Sequence, residues 1–141
     1  MRIVIGADDE DHLVTAVAES LRERGHEVRR LQTAEWPRAA RAVGEAVAVG
    51  DADQGVLFCW TGTGTSMAAN KVPGVRAALA WDPWIARGAR EWNDANVLVL
   101  SLKRTDATAA EEILDAWLSV EAPDPDERAN IEALKELDRR E

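Results

Sequence analysis

Five short apolar runs alternate with amphipathic stretches along most of the chain, and this alternation restricts the fold more than any other feature. Residues 2–6 (RIVIG), 55–59 (GVLFC), 75–80 (VRAALA) and 96–100 (NVLVL) read as buried strands, and 26–31 (HEVRRL) as a less apolar one. Between them, residues 12–24 place Leu13, Val14, Val17, Ala18 and Leu21 at helical spacing before Gly25. A second helix opens at Trp36-Pro37, runs through Ala39, Ala40, Val43, Ala46 and Val47, and closes at Gly50. Residues 66–70, 83–91 and 105–118 give three more, the last with Ala109, Ile113, Ala116 and Trp117 inward. Strands joined through helices run parallel in one sheet, covered on both faces. The predicted class is therefore α/β with a five-stranded parallel sheet, and its ligand crevice lies beyond the carboxyl ends of the strands.

A chain of 141 residues makes one domain, assigned to residues 1–121. Beyond the joint Ala122-Pro123-Asp124-Pro125 comes a charged helix over about 127–139 with few core positions. Residues 122–141 are accordingly expected to be a C-terminal tail whose helix packs on a partner subunit. The balance of 17 Lys and Arg against 26 Asp and Glu, net −9, disfavours nucleic acid and anionic membrane as partners. No apolar run approaches the ~20 residues of a membrane helix. The opening MRIVIGADDE lacks a signal-peptide pattern, so a cytoplasmic protein is expected. A single cysteine excludes an internal disulfide and a four-cysteine metal site.

That cysteine heads the segment Phe58-Cys59-Trp60-Thr61-Gly62-Thr63-Gly64-Thr65-Ser66. A glycine-rich turn between strand and helix converges backbone N–H groups on one point, suited to a phosphate or the oxyanion of a reacting carbonyl. The loop lacks the lysine of a P-loop and the spacing of a dinucleotide fingerprint. The same donors would favour a thiolate at Cys59. On these local features alone, an inert buried cysteine closing a strand fits equally well.

The run CWTGTGTSMAANKVPGVRAAL, followed by REWNDANVLVL, resembles the sugar isomerase family of ribose-5-phosphate isomerase type B and the galactose-6-phosphate isomerase subunits. The resemblance extends from RIVIGADD through the fifth strand, with a looser echo in the tail. It implies a Rossmann-like three-layer α/β/α sandwich that forms homodimers or dimers of dimers, with sites shared between subunits. It also implies cofactor-free and metal-free aldose–ketose isomerisation through a cis-enediolate. Cys59 would move the proton between adjacent sugar carbons, and Thr61 would handle a hydroxyl proton. The N–H groups of Gly62, Thr63, Gly64, Thr65 and Ser66 would form the anion hole. Asp8 matches a strand-end aspartate that contacts sugar hydroxyls, Asn93 the asparagine of an HNDAN-like run, and Asn70 and Lys71 the helix after the loop.

The departures from that pattern fall on the ligand side. Asp9 stands where the family has a phosphate-binding histidine, Trp92 where it has the ring-opening histidine, and Trp60 where a glycine follows the cysteine. Trp81, Trp84 and Trp36 replace a histidine and two tyrosines. Of two tail arginines that clamp phosphate, one aligns with Arg128 and the other falls on Asp124; Lys103, beside Arg104, replaces the arginine after the fifth strand. Two aspartates at phosphate anchors turn attraction into repulsion, on the order of 1–4 kcal/mol per unscreened contact. The expected substrate is therefore a non-phosphorylated or atypical sugar-like molecule, held by Asp8, Asp9, Asn93, Trp60, Trp81, Trp92, Lys103 and Arg128. His12, near the first loop, and His26, at the head of a strand, offer no clear replacement acid. Two other readings fit the same residues: a non-catalytic binding descendant, and repurposed chemistry on a non-sugar carbonyl compound.

Overall fold

The computed structural model describes residues 1–139; residues 140 and 141, the end of the expected tail, lie outside the described residues. Strands β1 (Arg2–Ala7), β2 (Glu27–Arg30), β3 (Gln54–Cys59), β4 (Ala77–Leu79) and β5 (Val97–Ser101) form one sheet in the order β2-β1-β3-β5-β4. Every neighbouring pair is parallel. Helices α1 (His12–Glu23), α2 (Trp36–Ala48), α3 (Thr63–Ala69), α4 (Pro83–Asn93), α5 (Ala107–Leu118) and α6 (Arg128–Glu136) alternate with and follow the strands.

The twofold alternation along each strand divides the core in two. Ile3, Ile5, Phe58, Leu98 and Leu100 pack with Leu13 and Val17 of α1, Ala86 of α4 and Ile113 of α5. Val4, Leu57, Val97 and Val99 face Ala40, Val43 and Val47 of α2 and Ala69 of α3. The result is the Rossmann-like α/β/α sandwich, with α1, α4 and α5 on one face and α2 and α3 on the other. Trp117, read as core, is buried and donates from Nε1 to Gln54 Oε1 at 2.8 Å. Carboxylates start three of the helices: Asp11 accepts from Leu13 N, Asp82 from Ile85 N and Asp106 from Ala109 N. Each cap satisfies an orphan amide, worth about 1 kcal/mol.

Among the boundaries that differ from the sequence reading, those of α3, β4 and α5 have a clear local reason. Helix α3 begins at Thr63, because Gly62 turns left-handed and Ser66 N already donates to Gly62 O at 3.1 Å. Strand β4 is only Ala77–Leu79, since Arg76 N is taken by Asn96 Oδ1 at 2.7 Å. Asn70 then pairs with Ala77 through both amide atoms, at 2.9 and 2.8 Å, and caps the edge of the sheet. Helix α5 waits for its Asp106 cap and begins at Ala107. The tail reaches α6 through a 3-10 turn, Pro125–Glu127, capped by Asp124. α6 rests on its own domain through buried Ile131, and the next turn adds Asp138, which accepts from Gly74 N at 2.8 Å. Leu137, just beyond α6, stays 77% exposed.

The chain leaves β1 toward α1 on one face and β3 toward α3 on the other. The crevice between those loops is the topological switch point of the sheet.

Candidate active site

Cys59 ends β3 at the centre of that switch point. Ala7 pairs with Phe58 and Asp8 N donates to Phe58 O at 3.2 Å, so Asp8 flanks Cys59 on one side. Ser101 of β5 pairs with it on the other. The thiol is buried and receives two donors: Gly62 N at 3.2 Å and Thr65 Oγ1 at 3.2 Å. Gly62 is required twice over. Its φ is +85°, and a Cβ there would lie 2.4 Å from Leu79 Cδ1. The turn folds the backbone over the sulfur and starts α3 at once.

The amides expected to form an anion hole are thereby sorted. Gly62 N serves the sulfur, Thr63 N reaches Thr61 Oγ1 at 3.3 Å, and Ser66 N is inside the helix ladder. Gly64 N and Thr65 N have no partner among the described residues. Gly64 is part-exposed and Thr65 fully buried, so of the two only Gly64 lies within reach of solvent. Thr61 does not touch the sulfur; its hydroxyl lies 2.7 Å from that of Thr63 at the surface. Thr65, read from sequence only as an amide donor, is the side chain on the sulfur. Trp36 lies flat against Gly64, where a Cβ would come within 3.0 Å of the indole.

The rim carries most of the other expected residues. Leu102 N donates to Cys59 O at 2.9 Å and Lys103 N to Trp60 O at 3.2 Å, extending the β3–β5 pairing into the loops. Ser101, to which the sequence assigns a crevice loop but no role, donates to Trp60 O at 2.9 Å and accepts from Arg104 N at 3.1 Å. A serine at a strand end carries no signal of such a role. Lys103 Nζ sits 5.1 Å from the Trp60 ring centroid, a cation–π contact. Trp60 and Trp81 are exposed. Burial, aided by Asp9, pushes the Asp8 carboxyl above the usual carboxylate range, against the pull of its own backbone amide. The Asp9 carboxylate accepts from Glu10 N at 2.9 Å. The His12 side chain is 99% exposed, and His26 Nδ1 meets the N-terminal ammonium at 3.0 Å, at the opposite end of the sheet.

Trp92, Asn93 and Arg128 are not brought to Cys59 within the chain. α4 runs antiparallel to the strands, so its last residues lie at their amino ends. Trp92 meets Trp84 edge-on with centroids 5.7 Å apart. Asn93, with Asn70, Arg76 and Leu134, lines a cavity of ≈ 420 Å³. The turn after Asn93 is held by Asp94, in the left-handed region at φ 52°, with Arg76 on its carboxylate at 3.3 Å and Arg90 at 3.6 Å. Arg128 lines a groove with Asp94, Pro123 and Lys135. Asp124 spends a carboxylate oxygen on its cap to Asp126 N, at 2.9 Å.

Comparison with known proteins gives a consistent answer. A family model described as Ribose/Galactose Isomerase matches residues 3–134. Ribose-5-phosphate isomerase B of Escherichia coli K12 is 37% identical over 106 residues, 75% of this chain and 71% of that one. The galactose-6-phosphate isomerase subunit LacB of Clostridium acetobutylicum is 38% identical over 147 residues, 98% and 82% of the two chains. The solved structure of ribose-5-phosphate isomerase B from Clostridium thermocellum superposes with a TM-score of 0.91 at 36% identity, covering 97% of each chain. None of the helices described is long and apolar enough to cross a membrane.

Proposed function

The chain belongs to the ribose/galactose isomerase family, an aldose–ketose isomerase by membership, and from that premise we propose that Cys59 carries the proton transfer on a non-phosphorylated or atypical sugar. The observation that carries this reading is the doubly hydrogen-bonded sulfur of Cys59 beside two unpaired amides. A thiolate held by Gly62 N and Thr65 Oγ1 removes the proton from the carbon next to the carbonyl. The oxygen of the resulting enediolate is stabilised by Gly64 N at the start of α3. Protonation of the neighbouring carbon by the same sulfur completes the isomerisation, and the 2.7 Å contact between the Thr61 and Thr63 hydroxyls supports a relay of the hydroxyl proton through them.

The site is half a site. Asn93, Trp92 and Arg128 lie at the far end of the chain from Cys59, so a homodimer that brings one subunit's amino end to the other's carboxyl end completes it. The exposed indoles of Trp60, Trp81 and Trp84 are suited to that contact. The substrate reading is supported by the rim. Asp8 flanks Cys59 and Asp9 follows it, Lys103 is laid over Trp60, and Asp124 carries a negative charge where a phosphate clamp would need a positive one. A phosphate needs a cluster of cations or bidentate arginines. Turnover of D-ribose 5-phosphate should therefore fall well below that of the best free pentose or tetrose. A kcat/KM for the phosphate above those of all the free sugars overturns the substrate assignment and leaves the isomerase assignment in place.

A further inference from the structure

We propose that Asp8 is the acid that opens a cyclic sugar before isomerisation, a catalytic role beyond contact with sugar hydroxyls; it rests on the isomerase reading above. Three observations place it. Asp8 is the residue next to Cys59 across the β1–β3 pairing, one step past Ala7 and Phe58. It also shares the parity of Val4, and Cys59 that of Leu57, both on the α2–α3 face, so the two side chains stand on one side of the sheet. Finally, its carboxyl is half-buried and, among the described residues, bonds no group other than its own backbone amide, whereas Asp11 is committed to a cap and Glu10 to Arg30 and Thr33. Neither histidine competes within the chain's own crevice. His12 points into solvent and His26 is tied to the N-terminus at the amino end of the sheet.

Ring opening requires a group beside the ring oxygen that can give up a proton. Burial first, and the Asp9 charge after it, raise the Asp8 carboxyl above its ordinary value, against the pull of its own backbone amide, which favours that role. The step balances as follows. Asp8 gives its proton to the ring oxygen while the bond from that oxygen to the anomeric carbon breaks, its electron pair staying on oxygen. The anomeric hydroxyl loses its proton to a water and becomes the carbonyl, and that water returns the proton to Asp8. One proton moves from hydroxyl to ring oxygen, and nothing is oxidised or reduced. Cys59, on the same side of the sheet, then meets an open-chain aldose.

The test compares a sugar that must be opened with one that cannot be closed. D-ribose is cyclic in water, whereas D-erythrulose, a four-carbon ketose, forms no five-membered ring. D-ribose 5-phosphate and D-erythrose 4-phosphate make the same pair with a phosphate. Asp8→Asn should lower the initial rate on the cyclic member about 100-fold or more and change the acyclic rate by less than about threefold. Cys59→Ala should abolish both, and His12→Gln and His26→Gln should leave both unchanged. Equal losses on the two sugars make Asp8 a binding residue and overturn the proposal, as does a cyclic-only loss in either histidine variant. A wild-type protein active on acyclic sugars alone also overturns it, with the isomerase reading intact. No turnover of any of the four sugars removes both.

Discussion

Cys59 accepts from Gly62 N and from Thr65 Oγ1, each at 3.2 Å, and the proposed role of the sulfur rests on these two donors. Hydrogen bonds to charged groups are worth about 1.5–3 kcal/mol. Thr65→Val keeps the buried shape and removes one donor, so iodoacetamide labelling and isomerase turnover should each fall about 10–100-fold, with little change in melting temperature. Unchanged labelling would reduce Thr65 to a packing residue. The loop was legible because cysteine, glycine and hydroxyl residues at a strand end announce a turn of converging donors. Which hydroxyl reaches the sulfur was not legible. That depends on where α3 starts, and a three-residue difference in the start puts Thr65 rather than Thr61 on Sγ. Ser101 was silent for a similar reason, since its partner, Trp60 O, is set by the β3–β5 register.

At the scale of elements, apolar runs and glycine stops marked all five strands and the helices between them, because burial on both faces leaves a strong pattern. The weaker ends were set by side chains the pattern does not weigh, Asn70 and Asn96 at β4 and the aspartate caps at the helices. One such side-chain cluster joins α1 to α5: Glu111 accepts from Ser20 Oγ at 2.9 Å and from Arg24, which also meets Asp115 at 2.7 Å. The Ser20 bond first, then Arg24, holds the Glu111 carboxyl below its usual 4.5. A depressed folded value means the stabilisation is full above the unfolded value and is lost as pH falls through the folded one. Glu111 is half exposed, so the cluster contributes only about 0.5–1 kcal/mol. Urea denaturation of Glu111→Gln and wild type should show that gap at pH 7 and none near pH 2.5. A gap that persists unchanged at low pH would mean the loss comes from packing.

For the molecule as a whole, the resemblance carried the family, the core and the expectation of a site shared between subunits, and the course of α4 back along the sheet adds that Trp92 and Asn93 lie away from Cys59 within one chain. Trp92, Asn93 and Arg128 cannot reach Cys59 in one subunit, and a shared site has a measurable signature. Cys59→Ala and Asn93→Ala should each be inactive alone. Mixed after subunit exchange, they should recover about a quarter of wild-type activity, since half the dimers are mixed and each has one intact site. No recovery in a proven mixed dimer would place both residues in a single subunit's site. The measurement closest to the central claim follows the proton itself. Isomerisation in D2O, monitored by NMR, should place deuterium on the carbon that receives the proton, and Cys59→Ala should lower both product and label by at least about 100-fold. A Cys59→Ala variant that keeps full turnover and still labels its product would contradict proton transfer by Cys59 through an enediolate.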